Sequence, residues 1–197
     1  MLKSNYFKYA ATLAIICLAA SGLLGVVYNL TKPKILAQQI LEERNSLKEV
    51  FSAADTFEPV KKGEDIFYYK ALDGRKNVLG FAFKTSHKGY SSDIVTMVGM
   101  DRNGVITHIK ILSQNETPGL GSRITEVIQK NTIWDILLRK AKIAPPARPW
   151  FQEQFSGKKV DELDSVNTIT GATISSRAVI DSIQEKAREV MENIKNG

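Results

Sequence analysis

The chain opens with a long apolar stretch that carries no charged residue from Tyr9 to Thr31. A helix built from this stretch is long enough to cross a hydrocarbon core of about 30 Å. Aromatic residues, which favour the membrane interface, lie near its two ends: Tyr6, Phe7, Tyr9 and Tyr28. The pattern therefore predicts a single transmembrane helix, and we assign residues 1–32 to an N-terminal tail and membrane anchor.

A cleaved signal peptide is the competing interpretation, because the small residues of Leu18-Ala19-Ala20-Ser21 resemble a cleavage site. A signal peptide has an apolar core of roughly 7–15 residues, and this stretch continues well beyond that site. A retained anchor is therefore favoured. Lys3 and Lys8 precede the stretch, and Lys32 and Lys34 follow it. The number of positive residues is therefore nearly equal on the two sides, and the positive-inside rule does not determine the orientation of the helix.

After the anchor, apolar residues recur at helical spacing and predict a stalk helix over residues 33–54, with Pro33 able to begin it. The pattern then changes to short apolar or alternating runs, which indicate strands. Asp73-Gly74 and Asp101-Arg102-Asn103-Gly104 are typical of hairpin turns. A largely antiparallel sheet is therefore predicted, with strands over residues 65–70, 78–84, 93–100 and 105–111.

Helical periodicity returns in the C-terminal part of the chain. Helices are predicted near residues 124–129 and 132–140, followed by a proline-rich loop over 144–149 and a short strand just before Thr170. A final amphipathic helix has one side that is expected to be buried, formed by Ile174, Val179, Ile180, Ile183, Ala187, Val190, Met191 and Ile194. Residues 33–197 thus form one α+β domain, a largely antiparallel sheet packed by helices.

Composition excludes several classes of function. The net charge of +6 is dispersed in short groups such as Lys61-Lys62 and Lys158-Lys159, and no reader motif accompanies it, so nucleic-acid binding is not expected. Cys17 is the only cysteine, which excludes a disulfide framework, an iron–sulfur cluster and a c-type haem. His87 and His108 have no Cys or His neighbours, so no metal site is expected either.

The segment Thr170-Gly171-Ala172-Thr173 stands immediately before the final helix. Glycine and alanine allow another molecule to approach the backbone, and a helix start offers free N–H groups and a positive dipole end that suit a phosphate. A threonine hydroxyl at this point can hydrogen-bond a phosphate or be esterified to one. On spacing alone, helix capping is the favoured interpretation, because Ser and Thr are preferred N-caps.

A second segment, Glu116-Thr117-Pro118-Gly119-Leu120-Gly121, predicts a sharply turned loop that opens onto a helix. Taken alone, it is an ordinary strand-to-helix connection. Together, the two segments resemble the Glu-Thr-Pro-Gly-Leu-Gly and (Ser/Thr)-Gly-Ala-Thr motifs of the FMN-binding domain. That domain is shared by the G subunit of Rnf electron-transport complexes (RnfG) and the C subunit of sodium-translocating NADH:quinone reductases. The resemblance also includes Gly89-Tyr90, Trp150 and Phe155-Ser156-Gly157-Lys158, while Asn167 replaces the aspartate that is usual in the family.

This resemblance implies an FMN joined to Thr173 through a phosphoester bond. Thr170, Gly171 and Ala172 are then expected around the phosphate, and Thr117, Leu120 and Gly121 beside the isoalloxazine ring. Glu116 would either orient its loop by hydrogen bonds or lie near the ring. Tyr90 and Trp150 are candidates to stack on the flavin, with burial in the core as the alternative for each.

The resemblance further implies a redox subunit that is not a catalyst by itself. It would relay electrons within an Rnf-type ferredoxin:NAD oxidoreductase that moves Na⁺ or H⁺, together with other membrane and peripheral subunits. A flavin transferase would attach the FMN, and the domain would face the periplasmic side of the cytoplasmic membrane. The compact chain favours RnfG over the longer C subunit of the quinone reductases, which is kept as an alternative.

Two further alternatives come from other classes of function. One is a non-redox anchored sensor or binding module with the same fold. The other is an anchored flavoprotein that reduces a small molecule directly. No nucleotide-binding fingerprint follows a strand, so NADH or ferredoxin is expected to react elsewhere in the complex.

Overall fold

The computed structural model describes residues 2–127 and 148–196. It begins with a single helix, α1 (Leu2–Val50), which continues through Pro33. The helix contains an 18-residue window with a mean hydropathy of 2.3 and no buried residue, and it is long and apolar enough to cross a membrane. The predicted stalk is therefore the second half of this same helix. The chain divides into two compact units, Met1–Glu42 and Glu43–Gly197.

Five strands follow α1 and form one sheet in the order of the sequence, each strand antiparallel to its neighbours. Together with the helices, this sheet confirms the predicted α+β class. The strands are β1 (Thr56–Lys62), β2 (Asp65–Leu72), β3 (Val78–Lys88), β4 (Asp93–Asp101) and β5 (Ile106–Ser113).

The four predicted strands correspond to β2–β5, whereas β1 was missed. β1 is an edge strand, largely exposed, with Pro59 in its middle. Proline cannot donate to a neighbouring strand and is tolerated at an edge, where one side of the strand needs no partner. A polar strand of this kind lacks the alternating apolar pattern, so the sequence carried no signal for it.

Both predicted hairpin turns are present, between β2 and β3 and between β4 and β5. Asp73 and Asp101 each accept two backbone N–H groups at 2.8 Å, from the residues two and four positions later. Gly104 closes the second turn with φ of +78°, a conformation in which a side chain is strained. The aspartate and glycine identities therefore determine where these strands reverse.

The two faces of the sheet are covered by different helices. The long C-terminal helix, α3 (Thr173–Asn196), packs on one face, where strand residues such as Phe83 and Val98 meet Ile180 and Ile183. On the other face, Leu47 and Val50 at the end of α1 pack against alternate strand residues, Ala82 and Met97. This alternation is the period-two pattern of a strand buried on both sides. The largest side chains with almost no exposed surface are Phe83, Phe151, Phe155, Ile94, Met97, Met100, Ile106, Ile124, Leu163, Ile169, Ile180 and Ile183.

Between β5 and α3 the described chain contains a 3-10 helix (Gly121–Thr125), the short helix α2 (Trp150–Glu153) and a second 3-10 helix (Val160–Ser165). The first of these overlaps the helix predicted near 124–129 only at residues 124 and 125; residues 126–127 are not helical, and residues 128–129 lie outside the described residues. The helix predicted over 132–140 lies outside the described residues, as does most of the proline-rich loop.

The prediction of a short strand before Thr170 is wrong, because Val160–Ser165 is a 3-10 helix, residues 166–169 pair with no strand among the described residues, and a turn follows at residues 170–171. Val166 and Ile169 supply the apolar pattern that suggested a strand, and both are buried in the core. The N–H group of Ile169 donates to the hydroxyl of Ser176 at 3.1 Å. The Ser176 hydroxyl thus accepts the backbone hydrogen bond that, in a sheet, a neighbouring strand would accept.

Candidate functional site

The turn that leads into α3 is built by Gly171. The N–H group of Ala172 donates to the carbonyl of Ile169 at 2.9 Å, and Gly171 has φ of +81°. A positive φ at the third position of a four-residue turn is what a type II turn requires. A Cβ atom on Gly171 would lie 3.3 Å from Cδ2 of Leu120. The glycine therefore permits both the turn and the close approach of the Leu120 loop.

The first turn of α3 leaves donor groups available. Its first helical hydrogen bond runs from the N–H of Ser176 to the carbonyl of Ala172 at 2.9 Å. Within residues 2–127 and 148–196, no acceptor takes the N–H groups of Thr173, Ile174 or Ser175. These three N–H groups, which have no acceptor among the described residues, stand at the positive end of a 24-residue helix and form a site that favours an anion.

The two threonines of the motif are exposed. Among the described residues, neither the hydroxyl of Thr170 nor that of Thr173 has a hydrogen-bond partner, so neither serves as a helix cap there. The hydroxyl of Ser176 stabilises the turn instead, through its bond from Ile169. Thr173 thus presents a solvent-accessible hydroxyl at the first position of α3, beside the three N–H groups.

Glu116 links two segments of the site. Its Oε1 atom accepts the N–H groups of Ser91 and Ser92, each at 3.0 Å. Its Oε2 atom accepts the N–H group of Tyr90 at 3.2 Å and the hydroxyl of Ser175 at 2.6 Å. A carboxylate has about four lone-pair positions, so these bonds use its acceptor capacity within the protein. Of the two roles expected for this carboxylate, the hydrogen bonds favour orientation of the loops.

The environment of Glu116 keeps it ionised. Burial by itself raises its pKa, whereas the hydrogen bonds from Ser175 and from the backbone of Ser92, Ser91 and Tyr90 lower it. The hydrogen bonds outweigh burial, and the pKa is held below the ordinary value of 4.5. Since the residue is only 6% exposed, it is a fixed negative charge inside the wall of the site at neutral pH.

Two glycines make room for this carboxylate. A Cβ on Gly89 would lie 2.7 Å from Oε1 of Glu116. A Cβ on Gly121 would lie 2.6 Å from Oε2 of Glu116 and 2.6 Å from the hydroxyl oxygen of Ser175. Real Cβ atoms do not approach other atoms this closely, so both positions require glycine. The space that the Glu116 carboxylate occupies thus explains the glycine at both positions, Gly89 and Gly121.

We expect Gly121→Ala to destabilise the domain by about 3 kcal/mol, because the new methyl group must push Glu116 or Ser175 out of their hydrogen bond. Urea unfolding of the full chain in detergent, followed by tryptophan fluorescence, measures this change. Gly119→Ala is the matched comparison: Gly119 has φ of +76° but no atom within 4 Å of the position that a methyl group would take. It is expected to cost about 1–2 kcal/mol through backbone strain alone. Equal losses for the two variants would contradict the steric role of Glu116.

These segments enclose a cleft of about 360 Å³. The loop between β3 and β4 forms one side of it, the Glu116–Gly121 segment another, and the start of α3 the third. The lining residues are Tyr90, Glu116, Thr117, Leu120, Gly121, Gly171, Ala172, Thr173, Ile174 and Ser175.

Seven of the eight residues expected from the sequence to hold a cofactor line this cleft, and Thr170 lies in the adjoining turn. Ile174 was predicted to be buried on α3, which is wrong: it is 56% exposed and lines the cleft. It occupies the first turn, before α3 reaches the sheet. Ser175 was not anticipated, since nothing in the sequence shows that it meets Glu116.

Tyr90 and Trp150, the two aromatic candidates, have different surroundings. Tyr90 lines the cleft and is 70% exposed. Trp150 packs against the main core beside Phe151, with ring centroids 6.3 Å apart. Asn167 has an exposed side chain, and its backbone exchanges hydrogen bonds with the side chain of Gln154 at 3.0 and 3.3 Å. Neither Trp150 nor Asn167 is among the residues that line the cleft.

The lining of the cleft combines polar groups with apolar side chains. At the start of α3 lie the Thr173 hydroxyl and three N–H groups that have no acceptor among the described residues, and the same lining includes the exposed side chains of Leu120, Ile174 and Tyr90. This arrangement fits a ligand with a phosphate at one end and a flat apolar ring system at the other. Among the described residues, no group of three or more His, Cys, Asp or Glu side chains is placed to hold a metal ion.

Comparison with known protein families gives two matches. The model of the FMN-binding domain matches residues 89–187, a range that includes every residue lining the cleft. The model described as the RnfG N-terminal region matches residues 1–50, which are the residues of α1 and the one preceding it.

Similar proteins are known from distant organisms. The G subunit of the ion-translocating oxidoreductase complex of Methanosarcina acetivorans is 28% identical over 190 residues, covering 89% of each chain. The G subunit of the proton-translocating ferredoxin:NAD(+) oxidoreductase complex of Clostridium ljungdahlii is 27% identical over 197 residues, covering 95% of this chain and 93% of its own. The crystal structure of Shewanella oneidensis NqrC matches 73% of this chain and 74% of its own, at 15% identity. The TM-score of this match is 0.43.

Proposed function

Because this chain belongs to the FMN-binding domain family, we propose that it is a membrane-anchored electron-transfer subunit with FMN bound covalently to Thr173. One observation carries the proposal. The exposed residue Thr173 stands at the N-terminus of α3, in the wall of a cleft that is also lined by the exposed apolar side chains of Leu120 and Ile174. A hydroxyl that can be esterified, donors for a phosphate and a place for a ring system occur together.

In this proposal, different residues of the chain contact different parts of FMN. The N–H groups of Thr173, Ile174 and Ser175 face the charge of a phosphate at the helix start, where the macrodipole favours it. Leu120 and Ile174 supply apolar contacts for the ring. Gly171 and Ala172 leave space beside the phosphate, since neither has a side chain beyond Cβ. Glu116 holds the surrounding loops in place.

The proposed attachment forms one bond between Oγ1 of Thr173 and the phosphorus of the flavin phosphate. The donor would be a flavin dinucleotide: its phosphoanhydride bond breaks, the nucleoside monophosphate leaves and takes up the hydroxyl proton of threonine, and the group that stays attached is FMN minus one water. A flavin transferase would carry out this step. The exposure of Thr173 is consistent with such a reaction, because a second protein must reach the hydroxyl.

Covalent attachment suits a domain outside the cytoplasm. A noncovalent cofactor stays bound only while its free concentration is comparable with its Kd or higher, and little free FMN is expected outside the cytoplasm. An ester removes this dependence. Accordingly we place residues 1–32 in the cytoplasmic membrane as the anchor and the domain of residues 33–197 on the periplasmic side. FMN, when bound, supplies one-electron and two-electron transfer.

The similar proteins named above are G subunits of ion-translocating oxidoreductase complexes, and one of them is named for ferredoxin and NAD. We assign this chain the corresponding place in an Rnf-type complex with other membrane and peripheral subunits. In this proposal the protein passes electrons between its neighbours and is not a catalyst by itself. Among the described residues that line the cleft, Glu116 is the one carboxyl group, and its hydrogen bonds hold its pKa below the ordinary value, so at neutral pH it has no proton to donate as a general acid.

The experiment is to coexpress the full chain with a flavin transferase, to denature it, and to examine it for in-gel flavin fluorescence. Mass spectrometry of the intact chain should show an increase that corresponds to FMN minus water. Coexpression with a transferase that has lost its activity is the matched control and should give no label. An unlabelled chain in the presence of the active transferase would contradict the covalent part of the proposal.

A further inference from the structure

Tyr90 has an exposed side chain on a firmly held backbone. It lies in the loop between β3 and β4, which is closed by a hydrogen bond from the N–H of Gly89 to the carbonyl of Ser92 at 2.8 Å. The N–H of Tyr90 donates to Glu116 at 3.2 Å, and the next N–H along the chain, that of Ser91, does the same at 3.0 Å. The side chain itself is 70% exposed and lines the cleft. The hydrogen bonds thus fix the backbone position of Tyr90, while its aromatic ring remains exposed.

The neighbours of Tyr90 show the same exposure. Leu120 is 49% exposed and Ile174 is 56% exposed, and both line the same cleft. These three side chains come from three separate segments of the chain and line one cleft. Isolated exposed apolar side chains are ordinary, but a group of them lining one cleft indicates a surface that a ligand or partner covers.

We propose that Tyr90 covers one face of the isoalloxazine ring, opposite the apolar contacts of Leu120 and Ile174, with Glu116 as the positioning residue that holds it. This inference rests on the proposed function, since it requires flavin in the cleft. Tyrosine is suited to the place because its ring gives a flat apolar contact while its hydroxyl remains in water. Two aromatic systems in such contact favour an offset stack.

The contact has a spectroscopic consequence. A phenol or indole ring touching an excited oxidised flavin donates one electron to it, and the electron then returns, so the fluorescence is lost without net reaction. A phenyl ring or an aliphatic side chain cannot donate in this way. The fluorescence of the bound flavin therefore reports the chemical nature of residue 90, independently of any electron-transfer activity of the protein.

The test uses the full-length flavinylated chain in detergent, with the mass of each variant measured first. Fluorescence per attached flavin should be low in the wild type and in Tyr90→Trp. It should be several-fold higher in Tyr90→Phe and Tyr90→Leu. Because Tyr90 is exposed, these substitutions leave the core intact. Tyr69→Phe is the control: the Tyr69 hydroxyl bonds Glu43 at 2.9 Å on the α1 side of the sheet, and its loss should not change the fluorescence.

Three results would count against the inference, and they have different consequences. If the chain is labelled but Tyr90→Leu is as weakly fluorescent as the wild type, Tyr90 does not cover the ring, and the proposed function stands. If the wild-type chain carries no FMN at all, the proposed function fails and this inference fails with it. A bright wild type that Tyr90→Trp does not quench would also overturn the contact.

Discussion

A Thr173→Ala variant is expected to lose all covalently bound FMN when it is produced together with an active flavin transferase. Alanine has no oxygen to form the ester, and no other atom of the side chain can replace it. The substitution should leave the fold intact, because Thr173 is exposed and alanine is the best helix former. In-gel fluorescence and intact mass measure the loss, which we expect to be complete rather than partial.

Thr170→Ala is the matched control, since Thr170 is exposed in the turn immediately before α3 and lies three residues from the proposed attachment site. It should still carry one FMN. Thr173→Ser, which retains a hydroxyl, should be labelled as well, although the missing methyl group changes how the hydroxyl is presented. A labelled Thr173→Ala chain would place the ester on another residue and would overturn the assignment to Thr173.

The sequence predicted those parts of the fold whose signals are local. The strands β2–β5 have apolar or alternating runs, and Asp73 and Asp101 mark their turns through hydrogen bonds to the backbone two and four residues later. α3 was predicted from its helical period. Each of these features depends on residues close together in the chain, so one sequence contains the information.

The missed features depend on contacts between distant segments or on exposed positions. β1 is polar because it is an edge strand, and Ile174 is exposed because it faces a cleft rather than the core. The apolar pattern at Val166 and Ile169 is buried without any strand, because Ser176 satisfies the backbone of Ile169. Periodicity shows which residues avoid water, but it does not show which partner covers them.

In the candidate site, too, the local features could be predicted from the sequence and the contacts between distant segments could not. The two motifs could be recognised in the sequence, and the structure brings them to one cleft. The bond between Glu116 and Ser175, which joins them, spans 59 positions of the chain and has no local pattern. The position of the Glu116 carboxylate also explains why glycine occupies positions 89 and 121, a requirement that turn propensity alone does not predict. The role of Glu116 therefore became apparent only from its hydrogen bonds.

Glu116→Gln is expected to destabilise the domain by about 2–3 kcal/mol at neutral pH, because one carboxylate oxygen becomes an amide group that donates. An NH₂ group in the place of Oε2 cannot accept the N–H of Tyr90, which is then left without its partner, and the charge that strengthened the other bonds is lost. Thermal unfolding of the full chain in detergent should show a decrease in Tm of roughly 5–10 °C. Glu126→Gln is the control: its side chain is 52% exposed in a surface ion pair with Arg123, so the change should stay within about 0.5 kcal/mol.

The loss in Glu116→Gln should also depend on pH. The folded pKa of Glu116 is held below the ordinary value of 4.5, so ionisation stabilises the folded state fully above that value. The stabilisation disappears as the pH falls through the folded pKa, because the protonated carboxyl group resembles the amide. The difference in unfolding free energy between wild type and Glu116→Gln is therefore expected to be constant near pH 7 and to shrink below 4.5. A difference that persists unchanged under acid conditions would mean that shape, rather than charge, makes Glu116 the link between the Tyr90 loop and α3.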